Sequence, residues 1–84
     1  MFCNVPVFGD VIAANVRGER SRRRLTQEDL ARRLGWSRQI VWQIEAGARA
    51  LKVDELPPLC RALEVSMSDL ARGADPDDLA ATGL

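Results

Sequence analysis

Arg38, Gln39 and Gln43 stand close together just after Gly35 and Ser37. A guanidinium can pair with two acceptors on a flat edge, such as O6 and N7 of guanine. A carboxamide can pair with an acceptor and a donor together, such as N7 and N6 of adenine. No competing chemistry stands out. The 84 residues include no histidine and no tyrosine. There is no nucleophile beside a base and no glycine loop shaped to cradle a phosphate, so no enzyme activity and no cofactor are expected. Cys3 and Cys60 are distant from each other and from any imidazole, so neither a disulfide framework nor a metal site is expected. No small-molecule ligand is expected either.

The elements that must present these side chains are legible around them. From Thr26 to Gly47 the chain reads as two short helices joined by a tight turn. Thr26 and Asp29 have capping-box spacing, so the first of the two starts at Gln27, with Leu30, Ala31 and Leu34 as its inward stripe. Gly35 can take a positive φ and end it. Ser37 caps the second, over 38–46, whose inward residues are Val41 and Ile44, and Gly47 ends it. Two helices crossing steeply need a small residue at the crossing, and Ala31 supplies it. The pattern is a helix-turn-helix, whose second helix displays polar groups outward and fits a DNA major groove.

Charge is distributed to match. Formal net charge is zero, yet residues 1–49 hold nine arginines against five acids, and residues 50–84 hold Lys52, Arg61 and Arg72 against seven acids. A basic pole beside the second helix suits phosphate contact. With 46% apolar and 29% charged residues the chain suits a soluble globular domain and not a disordered one. No apolar run approaches the roughly 20 residues that cross a bilayer, and no secretory leader is seen. A reduced, cytoplasmic, nucleoid-associated location is expected.

The rest of the chain reads as support. Residues 1–6 read as an irregular arm. Phe8, Val11, Ile12 and Val16 mark an amphipathic first helix over 7–23. Leu56, Leu59, Cys60 and Leu63 mark a fourth, starting near Leu56 because Pro57 and Pro58 cannot both lie deep in a helix. Ser66 with Asp69 opens a fifth over 67–72, closed by Gly73. Asp75-Pro76-Asp77-Asp78 can open a short sixth over 76–81. The fold class is all-α: a compact domain of five helices over 7–73, with an acidic tail or short helix over 74–84.

Leu30, Ala31, Leu34, Gly35, Val41, Ile44, Glu45-x-Gly47 and Leu63-x-Val65-Ser66 together closely resemble the lambda-repressor-like, Cro-type helix-turn-helix family over residues 8–72. The resemblance implies a sequence-specific regulator of transcription, a repressor of phage or prophage type, binding double-stranded operator DNA as a homodimer on a palindromic site. It implies that Arg38, Gln39 and Gln43 read bases, that Gln27 and Ser37 touch phosphates, and that Arg20 and Glu45 form an internal salt bridge. Arg49, after Gly47, is expected at a phosphate, with Lys52 beside it. Trp36 and Trp42 depart from the family pattern. Half-burial against the fourth helix accounts for Trp36. Trp42, with Ile40, can meet thymine methyls or sugar edges, cover a neighbouring surface, or be partly buried. Arg22, Arg23 and Arg24 can favour the end of the first helix or attract DNA.

Two further readings stay open. An antitoxin of a toxin–antitoxin pair would repress its own operon and bind its toxin, with the C-terminal region, including Leu79 and Leu84, as the contact. A protein-interaction module could keep the fold without binding DNA.

Overall fold

The computed structural model describes residues 7–84. The arm expected over 1–6, and Cys3 within it, lie outside the described residues. Six helices follow in order: α1 (Phe8–Arg22), α2 (Gln27–Leu34), α3 (Arg38–Glu45), α4 (Leu56–Leu63), α5 (Met67–Leu70) and α6 (Pro76–Thr82). A single 3-10 turn, Val53–Glu55, leads into α4. The described residues contain no strand, so the all-α class read from the sequence is the observed one.

Local chemistry places the boundaries. At the start of α2, Thr26 Oγ1 accepts from the Asp29 N–H at 3.0 Å while Asp29 accepts from the Thr26 N–H at 3.0 Å. The same reciprocal pair joins Ser66 and Asp69 at the start of α5. Two otherwise orphaned amides are satisfied at each site. These hydrogen bonds hold both aspartates below the usual carboxylate range. Ser37 Oγ accepts from the Ile40 N–H and caps α3. Pro57 and Pro58 sit in the first turn of α4, where missing N–H groups cost nothing.

α5 is shorter than the 67–72 expected. It ends at Leu70, and residues 71–73 form a turn. The reason is a tertiary clamp: Asn15 Nδ2 on α1 donates to the carbonyls of Leu70 at 2.6 Å and Arg72 at 2.9 Å. These are carbonyls that the end of the helix leaves without an intrahelical N–H.

The core joins α1 to α5. Ile12, Val16, Leu30, Ala31, Val41, Leu59, Leu63 and Leu70 form one buried cluster, with Phe8, Leu34, Trp36 and Leu56 packed on its rim. Each fully buried Leu or Ile contributes about 1.5–3 kcal/mol. α2 packs on α3 and α4, while α1 packs on α3, α4 and α5. α3 is therefore held from two sides, with one face left over. α6 contributes no buried residue.

Candidate nucleic-acid interface

α3 has two unlike faces. Val41 and Ile44 are 0% and 1% exposed. On the other side Ser37, Arg38, Gln39 and Trp42 are exposed, with Ile40 and Gln43 half-buried between the two. Trp42 leaves half of its surface open to water, at 50%. Ala31, 3% exposed, sits in the core below, and Gly35 takes φ 73° in the turn. That left-handed conformation favours glycine and lets α3 leave the turn at a steep angle to α2. The outward face of α3 is thus a row of a guanidinium, two carboxamides and an indole on a rigidly backed helix.

A buried polar network ties this helix to α1. Arg20 Nε donates to Glu45 Oε2 at 2.6 Å and Nη2 donates to Oε1 at 3.0 Å. Arg20 Nη1 donates to the Leu25 carbonyl at 2.7 Å. Gln27 Nε2 adds a fourth bond, to Glu45 Oε1 at 3.2 Å. The Glu45 side chain is 4% exposed and Arg20 14%. Desolvation of both charges offsets much of their attraction, so the pair orients α3 more than it stabilises the fold. Gln27 is half-buried and spends one amide hydrogen here, so its carboxamide keeps one N–H and the oxygen for another partner.

The basic pole is smaller than the residue count suggests. Arg49, the expected phosphate contact, has Nη1 and Nη2 both engaged by Glu55 in the free protein, at 2.8 and 2.6 Å. Glu55 also accepts from the Lys52 N–H at 2.9 Å. The 3-10 turn carries Glu55 back to the loop, a fold-back that the sequence pattern does not announce. Arg49 holds the Glu55 carboxyl below its usual range, and Glu55 raises Arg49 in return. Lys52, exposed, keeps its ammonium out of that pair.

Arg22 and Arg23 are likewise engaged. Both reach Glu19, at 3.4 and 2.6 Å, and Glu19 is itself buried, 6% exposed. Their i,i+3 and i,i+4 spacing was the available signal. Arg32 pairs with Asp29 on the surface of α2. Of the nine arginines in residues 1–49, Arg17, Arg24, Arg33 and Arg38 have no carboxylate partner among the described residues. Arg33 instead donates to the Ala62 carbonyl at 3.0 Å.

Arg17 is the residue that sequence reasoning passed over. It lies one helical turn before Arg20, on the side of α1 that meets α3. With Arg20, Gln27, Trp42, Glu45 and Ala46 it lines a shallow concavity of about 220 Å³. Trp42 also lines a second, with Arg38 and Gln39. Trp36, by contrast, is half-buried against the core. Cys60 is half-buried, and burial pushes its thiol up, as befits an inert core side chain. No cluster of three or more metal-ligating side chains occurs among the described residues. No described helix is long and apolar enough to cross a membrane.

Comparison with known proteins places this architecture. A family model described as a helix-turn-helix domain matches residues 11–73. The restriction-modification controller protein C.AhdI from Aeromonas hydrophila is 28% identical, with a TM-score of 0.68 over 73% of this chain and 92% of that one. The controller protein C.Esp1396I is 26% identical, with a TM-score of 0.71 over 77% and 84%. It has also been solved as a tetramer in complex with its natural 35 base-pair operator. The clp gene regulator ClgR from Corynebacterium glutamicum, at 23% identity, shares the fold with a TM-score of 0.75 over 93% and 82%. No curated protein gives a match.

Proposed function

The chain belongs to the helix-turn-helix domain family, of the Cro and lambda-repressor type, and from that premise we propose that it is a sequence-specific DNA-binding regulator of transcription. One observation carries the reading. α3 buries Val41 and Ile44 completely and turns Arg38, Gln39 and Trp42 to water, with Gln43 at the margin. A helix so backed can enter a major groove without deforming. Arg38, Gln39 and Gln43 are the base readers, each bidentate contact supplying about 1–3 kcal/mol of discrimination. Ser37 and Gln27 flank them at the backbone, and Lys52 follows as a solvated cation.

The protein acts as a homodimeric repressor that occupies a palindromic operator in the cytoplasm. Operator binding by the related controller protein supports this reading. Half-sites should then be centred about 34–36 Å apart, one turn of duplex. No reaction is assigned to it.

Selection from a random duplex library, followed by titration of the winner over several salt concentrations, is the test. A palindromic winner with a steep salt dependence is the expected result. A single half-site would remove the dimer from the proposal. No enrichment at all would leave the fold as a protein-interaction module.

A further inference from the structure

We propose that Arg17 of α1, the indole of Trp42 and the free amide hydrogen of Gln27 form a seat for one DNA phosphate, at the edge of the groove that α3 enters. The inference rests on the regulator reading and adds a DNA contact from α1, an element whose other roles are packing and orienting.

Three observations converge on the concavity those residues share. The first is charge. Arg17, Arg20 and Glu45 line it, and Arg20 is matched by Glu45, so one positive charge, that of Arg17, is left over. Arg17 is exposed and has neither hydrogen bond nor ion pair among the described residues, unlike the arginines tied to Glu19, Asp29, Glu45, Glu55 and Asp69.

The second is donor supply. Gln27 spends one N–H on Glu45 and keeps the other. The indole N–H of Trp42 likewise has no partner among the described residues, and the ring is 50% exposed. An anion accepting from a guanidinium, an amide and an indole would satisfy donors that otherwise face water, and charge-assisted bonds to phosphate are the strong ones.

The third is position. Trp42 lines both the Arg17 concavity and the Arg38–Gln39 concavity. The indole is therefore the side chain that the base readers and the cation have in common. In a duplex the sugar lies between base edge and phosphate. Docking α3 in the groove sets the flat apolar ring against the sugar and brings the next phosphate towards Arg17. A large aromatic on the outer face of a recognition helix, left half-solvated in the free protein, then has a purpose.

The test compares the wild-type chain with Arg17→Gln, Arg17→Lys and Trp42→Phe. Each is titrated against the library-selected duplex and against a random-sequence duplex. Arg17→Gln should weaken both duplexes alike, by roughly five- to twentyfold, and flatten the log–log salt dependence by about one unit per protomer. Arg17→Lys should restore the slope. Trp42→Phe, which keeps a ring and loses the N–H, should weaken both duplexes several-fold with the slope unchanged. The thermal midpoints of both Arg17 variants should stay at the wild-type value, because that guanidinium bonds to nothing in the described fold. An unchanged slope in Arg17→Gln overturns the seat while leaving the regulator reading intact. A loss confined to the selected duplex also overturns it, since Arg17 would then read a base. If the wild-type chain binds neither duplex at low salt, both readings fall together.

Discussion

α3 and the loop that follows it each carry one arginine, and the two arginines meet opposite fates in the fold. On α3, Arg38 points into water with no carboxylate partner, beside two carboxamides. A few residues on, Arg49 is locked in a two-pronged pair with Glu55. A cation contributes to nucleic-acid binding only if it is not already neutralised. The difference arises because α3 is a rigid rod whose outward face meets no other described element, whereas the loop folds back through a 3-10 turn that delivers its own counter-ion. Net charge per segment is thus a poor measure of an electrostatic surface, and the count of unpaired cations is a better one.

Removing what holds α3 in place should have the largest effect. Arg20→Ala leaves Glu45 buried with only Gln27 as partner and should destabilise the fold by about 3 kcal/mol in a denaturant titration. A loss below about 1 kcal/mol would mean that Val41 and Ile44 alone set the helix, as ordinary surface changes cost little.

Next come the two regions themselves. Arg38→Ala or Gln39→Ala should remove about 1–3 kcal/mol of preference at one or two base pairs and leave the thermal midpoint near that of wild type. Binding to random duplex should change far less than binding to the selected site. Equal losses on both would turn these residues into backbone contacts and erase the contrast with the loop.

Glu55→Gln releases Arg49. It should cost about 1 kcal/mol of stability, since both partners keep some exposure, and steepen the salt dependence of DNA binding by up to about one unit. An unchanged slope would show that the loop faces away from the duplex even when its charge is free.

The smallest effect is in acid. Glu55 is held below its ordinary value of 4.5, so the unfolded chain takes up a proton first as pH falls. The stabilisation is complete at neutral pH and is lost as pH drops from that value through the lower folded one. Asp29 and Asp69 are depressed too, through their cap hydrogen bonds, so the readout is the difference between wild type and Glu55→Gln. That difference should be present at neutral pH and vanish in strong acid. If it persists there, the pair does not couple to folding.

Much of this was legible because it is local. Thr26 with Asp29 and Ser66 with Asp69 announce their helix starts, since a cap reaches only three residues along the chain. The polar face of α3 follows from Val41 and Ile44 being one turn apart. Glu19 with Arg22 and Arg23 was equally local and could have been read from its spacing. Arg49 with Glu55 could not, because the bridge depends on how a loop bends. The early end of α5 was hidden for the same reason: Asn15, which captures the Leu70 and Arg72 carbonyls, is more than fifty residues away.

By itself the sequence determined the helices, the turn between α2 and α3, the core stripe and the family. Periodicity, capping and glycine conformation act over a few residues and need no partner. Only the tertiary structure decided which charges remain available, that Gln27 shares itself with Glu45, and that Arg17 of α1 comes to lie beside Trp42 of α3. Those outcomes depend on which side chains packing brings within reach of one another, and an opposite charge within a few ångströms removes a cation from the surface however basic its segment reads.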